Sequence, residues 1–168
     1  MIVFGERSLE ADPKNFQADL LLATGIARKI RENDLDKDER MKQAEKYAND
    51  ALALIPNAPK MNAQMTDEQF TELKKEYMAD AHQALGMVAM VRKKNDDAIN
   101  EFKQAVEGPA NPDPAAMVRY AQALNKAGKY DEAIAMAEKV MAIPNVNPAF
   151  KQFAQAEKVR AFQAKQAK

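Results

Sequence analysis

The strongest constraint on this chain is a short pattern that it writes three times. The segments "MKQAEKYANDALALIPN" from Met41, "DDAINEFKQAVEGPAN" from Asp96 and "YDEAIAMAEKVMAIPN" from Tyr130 align without gaps over their helical part. Ala44, Ala98 and Ala133 coincide, then Ala48, Phe102 and Ala137, then Ala51, Ala105 and Val140. Steps of four and three put these positions on one stripe of a helix. The mostly small residues of that stripe let a second helix approach closely. Pro56, Pro109 and Pro144 follow at nearly the same offset and end each helix, because proline disfavours helical geometry in the residue before it.

Each of these helices has a partner upstream. Before Ala133 comes "AAMVRYAQALNKAGKY", with Tyr120, Ala121 and Leu124 as its stripe and Gly128 at the turn. Before Ala98 comes "AHQALGMVAMVRKKN", with Leu85, Gly86 and Ala89 in the matching places, and before Ala44 "FQADLLLATGIARK" offers Leu22, Ala23 and Ile26. The predicted unit is helix, short turn, helix, proline. Ala98 and Ala133 are 35 residues apart.

Composition fits this reading and excludes several functions. With 168 residues, 46% of them hydrophobic, the chain suits one compact domain or a short repeat array. Good helix formers abound and no alternating strand pattern occurs, so the expected class is all-α. Twenty-five basic residues balance 25 acidic ones, so no overall field favours nucleic acid or an anionic membrane. The one local excess, Lys151, Lys158, Arg160, Lys165 and Lys168 against Glu157, reads as solvation and dipole complement at a helix end. No apolar run approaches the roughly 20 residues of a membrane span, and Met1 to Gly5 is too short for the apolar core of a signal peptide. The absence of cysteine excludes disulfides, thiol catalysis and cysteine zinc sites without fixing the compartment.

The quoted residues resemble the tetratricopeptide repeat family. Ala23, Gly86 and Ala121 match its small residue in the first helix, Ala44, Ala98 and Ala133 the alanine opening its second helix, and Pro56, Pro109 and Pro144 its closing proline. The spacing is close to the family's period of about 34 residues. The resemblance covers most of the chain and is clearest from Pro114 to Pro144. It implies an all-α, right-handed α-solenoid of antiparallel helix pairs forming a single domain over residues 1–168. Residues 1–13 are expected as the second helix of a truncated repeat, because "GERSLEADPKN" aligns with "NDALALIPN". Residues 16–58 form the first full repeat, with an insertion at roughly Ile30 to Arg40 between its helices. Residues 66–112 form the second after a further insertion, its first helix long and running from a capping box at Thr66 and Gln69 to about Lys93. Residues 114–146 form the third. Residues 147–168 form a terminal covering helix with Asn147 as cap, Pro148 in the first turn, and Phe150, Phe153 and Ala154 facing inward. On the truncated end, Ile2, Val3, Phe4 and Leu9 are expected to be exposed.

No constellation for catalysis stands out. His82 is the only histidine, with Asp80 nearby, but a catalytic dyad or metal site needs further convergent ligands, so it reads as structural. Asp34, Asp36, Asp38 and Glu45 have the spacing of a calcium loop, but Glu39 occupies the place where the sharp turn needs glycine. Acids there complement the dipole of a starting helix instead. Asp131, Glu132 and Glu138 read as a solvated helix face. No enzyme activity, cofactor or metal is expected. By resemblance, the first helices line a concave groove that holds a protein or peptide. Carried over by register, its lining is Gln17, Leu20, Thr24 and Arg28; Gln83, Met87 and Met90; and Val118, Arg119, Gln122, Asn125 and Lys126. Leu20 and Thr24 stand where a clamp for acidic chaperone tails needs a basic and an amide residue. The expected function is a protein- or peptide-binding scaffold. The alternative is a structural module that assembles with itself, through the N-terminal half-repeat, or with the rest of a longer chain.

Overall fold

The computed structural model describes residues 2–60 and 62–167. Met1 and Lys168, the outer bounds of the expected domain, lie outside the described residues, as does Met61. Among the described residues there are eight α-helices and no strand. They are α1 (Ile2–Ala11), α2 (Phe16–Ala27), α3 (Lys37–Leu54), α4 (Asp67–Val91), α5 (Asn95–Glu107), α6 (Pro114–Lys126), α7 (Tyr130–Ala142) and α8 (Pro148–Gln166). A 3-10 turn, Ile55–Asn57, closes α3. The chain pairs α2 with α3, α4 with α5 and α6 with α7, and stacks the pairs through α3 on α4, α5 on α6 and α7 on α8.

Local chemistry sets the ends of these helices. The Thr66 hydroxyl accepts from the Gln69 amide at 3.2 Å while the Gln69 side chain accepts from the Thr66 amide at 3.0 Å. This reciprocal box satisfies two amides that have no partner inside α4. Asp113 and Asn147 start α6 and α8 in the same way, each accepting the amide two residues on and each followed by proline. The turns from first to second helix also repeat. Lys93 and Gly128 have φ of 60° and 76°, and the next amides, of Lys94 and Lys129, reach back to Ala89 and Leu124 carbonyls at 3.0 and 2.9 Å. Both turns are the left-handed helix ending that glycine adopts without strain and lysine adopts at a cost.

The three small-residue stripes form the core. Ala44, Ala48, Ala51, Ala98, Phe102, Ala105, Ala133, Ala137 and Val140 are all essentially solvent-free. Opposite them, Ala23 and Ala121 are fully buried, and Gly86 sits so close to the Phe102 ring that a Cβ there would come within 2.8 Å of it. Ala121→Leu should therefore overpack the α6–α7 contact and destabilise the protein by roughly 1–3 kcal/mol. A urea midpoint equal to wild type would show the register of this pair to be wrong.

Several details differ from the sequence expectations. Phe153 points out, 57% exposed, because the inward stripe of α8 is Ala154, Glu157 and Ala161, with Phe150 packed at its edge. Of the four apolar residues of α1 expected to be exposed, only Val3 and Phe4 are, whereas Ile2 and Leu9 pack against the core on either side of buried Gly5. Leu20 and Val118 are core residues, at 6% and 5% exposure. The first insertion ends sooner than expected, because α3 begins at Lys37 with Asp38 and Glu39 in its first turn. The Asp34 carboxylate accepts from the Arg31 amide at 2.9 Å and pairs with Arg40 at 3.3 Å. Asp131 and Glu138 are exposed but ion-paired, with Lys165 and, at 2.6 Å, with Lys158. Part of the basic excess at the C-terminus thus pins α8 onto α7.

Candidate functional site

The first helices touch one another along the array, α2 with α4, α4 with α6 and α6 with α8, whereas the second helices pack on first helices rather than on each other. The first helices are therefore the closely spaced inner layer, and the side chains between them line one shared face.

A polar relay crosses the centre of this face. Gln83 of α4 is 1% exposed. Its amide nitrogen donates to Asp113 Oδ2 at 3.0 Å, and its amide oxygen accepts from Arg119 Nη1 at 3.4 Å. Asp113 is held in turn, since its other oxygen caps α6. Arg119 is half-buried, and burial lowers its pKa, with the like charge of Arg28 pushing the same way and Asp113 opposing. Arg28, the last cap of α2, also acts on Asp80, which is exposed at its surface but whose carboxyl pKa is raised first by the desolvating side chains around it and then by Asp113. Arg28, Asp80, Gln83, Asp113 and Arg119 thus form one electrostatic group from three helices.

A second cluster closes the face at α8. Met90, Gln122, Asn125, Lys126, Tyr130, Arg160 and Ala164 surround a cleft of about 430 Å³. Its floor is Asn125, 8% exposed, whose amide nitrogen donates to the backbone oxygen and to Oε2 of Glu157, both at 3.0 Å. Glu157 is 3% exposed, and Arg160 compensates its charge at 2.6 and 2.8 Å. A carboxylate this deep is stable only with such partners. Lys126 and Arg28 make no ion pair among the described residues.

The residues expected at the groove differ in burial. Gln83, Met87 and Asn125 are buried. Met90, Arg119 and Gln122 are half-buried, and Arg28 and Lys126 are exposed. At the other end, Gln17 is exposed and reaches Tyr77 Oη at 3.3 Å, while half-buried Thr24 turns its hydroxyl back to the Leu20 carbonyl at 2.7 Å. The α2 residues Gln17 and Thr24 belong to neither cluster. Sequence reasoning missed Asp113 and Arg160 as members of the face. Asp113 was legible as a cap before proline, but its bond to Gln83 joins residues 30 apart in the chain. Outside the face, His82 Nδ1 lies 2.8 Å from Glu101 Oε2 and ties α4 to α5. No group of three or more candidate ligands for a metal ion occurs among the described residues.

The geometry defines a class of protein: an array of antiparallel helix pairs whose first helices share an inner face of partly buried polar groups. Residues 89–156, from the end of α4 into α8, match the tetratricopeptide repeat family model. No curated protein and no solved structure matches the chain. Tetratricopeptide repeat domains are generally scaffolds for protein interaction and typically non-catalytic. No described helix is long and apolar enough to cross a membrane.

Proposed function

We propose that the inner face of this array is a groove that binds a protein or peptide segment, and that the array winds as a right-handed solenoid with the repeat boundaries given above. The observation that carries the reading is Gln83, a buried amide that spends both of its polar ends on holding Asp113 and Arg119. A buried relay of this kind fixes charged side chains before a ligand arrives, which reduces the ordering cost of binding. Arg28, Arg119 and Lys126 then meet carboxylates or backbone carbonyls of the ligand, with Gln122 alongside, while Met87 and Met90 give an adaptable apolar floor.

The test starts from a peptide selected on the immobilised full chain from a random display library. Arg119→Ala should weaken its binding by roughly 1.5–3 kcal/mol, the cost of a lost charge-assisted hydrogen bond, with helicity intact. A selected peptide indifferent to changes at Arg119, Gln122 and Lys126 would remove the site from this face.

A further inference from the structure

The cleft between α6 and α8 holds a polar atom that the fold leaves without a partner. Asn125 lines this cleft and is 8% exposed. Its amide nitrogen is spent on two acceptors, the backbone oxygen and Oε2 of Glu157, both at 3.0 Å. That arrangement fixes which end of the amide is which, since a flipped side chain would set its oxygen against two other oxygens. Asn125 Oδ1 then has no hydrogen-bond donor among the described residues. A buried acceptor in that state is costly, and a donor from outside the chain accounts for it.

The same cleft offers the complementary chemistry beside it. The side chains of Gln122 and Lys126 make no hydrogen bond or ion pair among the described residues. Arg160 holds Glu157 through Nη1 alone, at 2.6 and 2.8 Å, and its side chain is 64% exposed, so Nε and Nη2 remain available. The cleft thus calls for a ligand group with a donor for Asn125 and an acceptor for Lys126 or Arg160. A carboxylate has the acceptor but no donor. The attraction it gains from exposed Lys126 is small, and Oδ1 stays unpaired. An ammonium has donors but adds positive charge beside Lys126 and Arg160. In the main chain, the N–H and C=O of one trans peptide unit point opposite ways. A side-chain carboxamide carries donor and acceptor together on one flat head, and Met90 and Ala164 line the cleft where its apolar stem would lie.

We propose that this cleft receives a carboxamide side chain, glutamine or asparagine, from the bound segment. Asn125 accepts from the carboxamide nitrogen, and Lys126 or Arg160 donates to its oxygen. The inference rests on the groove reading above and adds to it the side chain that the α6–α8 end selects.

The test uses the full chain and peptides selected on it from a random display library. The selected sequences should share a glutamine or asparagine in one register. Changing that residue to the matching acid should weaken binding by about tenfold or more, because the buried acceptor loses its donor. Asn125→Ala should abolish the preference for the amide over the acid. A second measurement needs no variant of the protein. In a peptide labelled at the carboxamide nitrogen, the NH₂ protons should show nuclear Overhauser contacts to Asn125 and to the Met90 methyl group. The carboxamide pocket is wrong if the selected peptides share no such residue, if the acid binds as well as the amide, or if those contacts are absent. Arg119→Ala separates this failure from that of the groove. Where Arg119→Ala weakens the peptide but the carboxamide is replaceable, only the pocket falls. Where the peptide is also indifferent to Arg119, both fall.

Discussion

Phe102→Ala is expected to lower the unfolding free energy by about 3–5 kcal/mol, the largest effect of any single truncation considered for this fold. The Phe102 ring is fully buried on the α5 stripe, where the equivalent second helices carry alanine, and it fills the hollow that Gly86 leaves in α4. Removing the ring leaves a cavity that rigid helices on both sides close only in part. The pair also gives a sharper result. Gly86→Ala alone should destabilise by about 1–3 kcal/mol, since the added methyl group meets the ring and outweighs the gain in helix propensity. In the Phe102→Ala background the same change should become stabilising, because the hollow is then empty and alanine favours the helix by about 1 kcal/mol over glycine. Urea denaturation of the four proteins completes the cycle. Additive effects would mean that the two residues do not touch.

The second large effect is at Asp19, a residue of the first turn of α2 that is 2% exposed and has one carboxyl oxygen, Oδ2, without a hydrogen-bond partner. Burial first, and then the neighbouring charge of Asp50, raise its pKa from 3.8 to about 6, with Lys46 opposing. An acid whose pKa is raised on folding binds its proton more tightly in the native state than in the unfolded one. Its favourable contribution is complete below about pH 4 and is lost as the pH rises through about 6. Asp19→Asn keeps the shape and removes the charge, so it should stabilise the protein by about 1–3 kcal/mol at pH 7.5. At pH 4 the variant and the wild type should differ little. An equal difference at both values would show that the carboxylate is not the cause.

The helices were legible in the sequence wherever their determinants are local. Thr66 with Gln69, and Asn147 with Pro148, announce the starts of α4 and α8 through bonds that span two or three residues. The small-residue stripe of the second helices was legible for the same reason, since periodicity alone places Ala133, Ala137 and Val140 on one side. The inner face was legible only in outline. Register names Gln83 and Arg119 as neighbours of the groove but says nothing of their bond, which depends on how α4 and α6 are rotated and spaced. Phe153 shows the same limit in reverse. An aromatic residue beside an inward alanine looks like core, yet the buried edge of α8 is taken by Glu157, which α6 holds through Asn125. A buried glutamate cannot be inferred from one helix, because its partners lie on another.

The most direct test of the central claim is a nuclear magnetic resonance titration of the labelled full chain with the peptide selected on it. The account expects the amide and side-chain shifts to change along α2, α4, α6 and the near edge of α8, with the strongest effects at Arg28, Gln83, Arg119, Gln122, Lys126 and Arg160. Shifts confined to the outer helices α3, α5 and α7, or to the linker residues 29–36, 58–60 and 62–66, would contradict it.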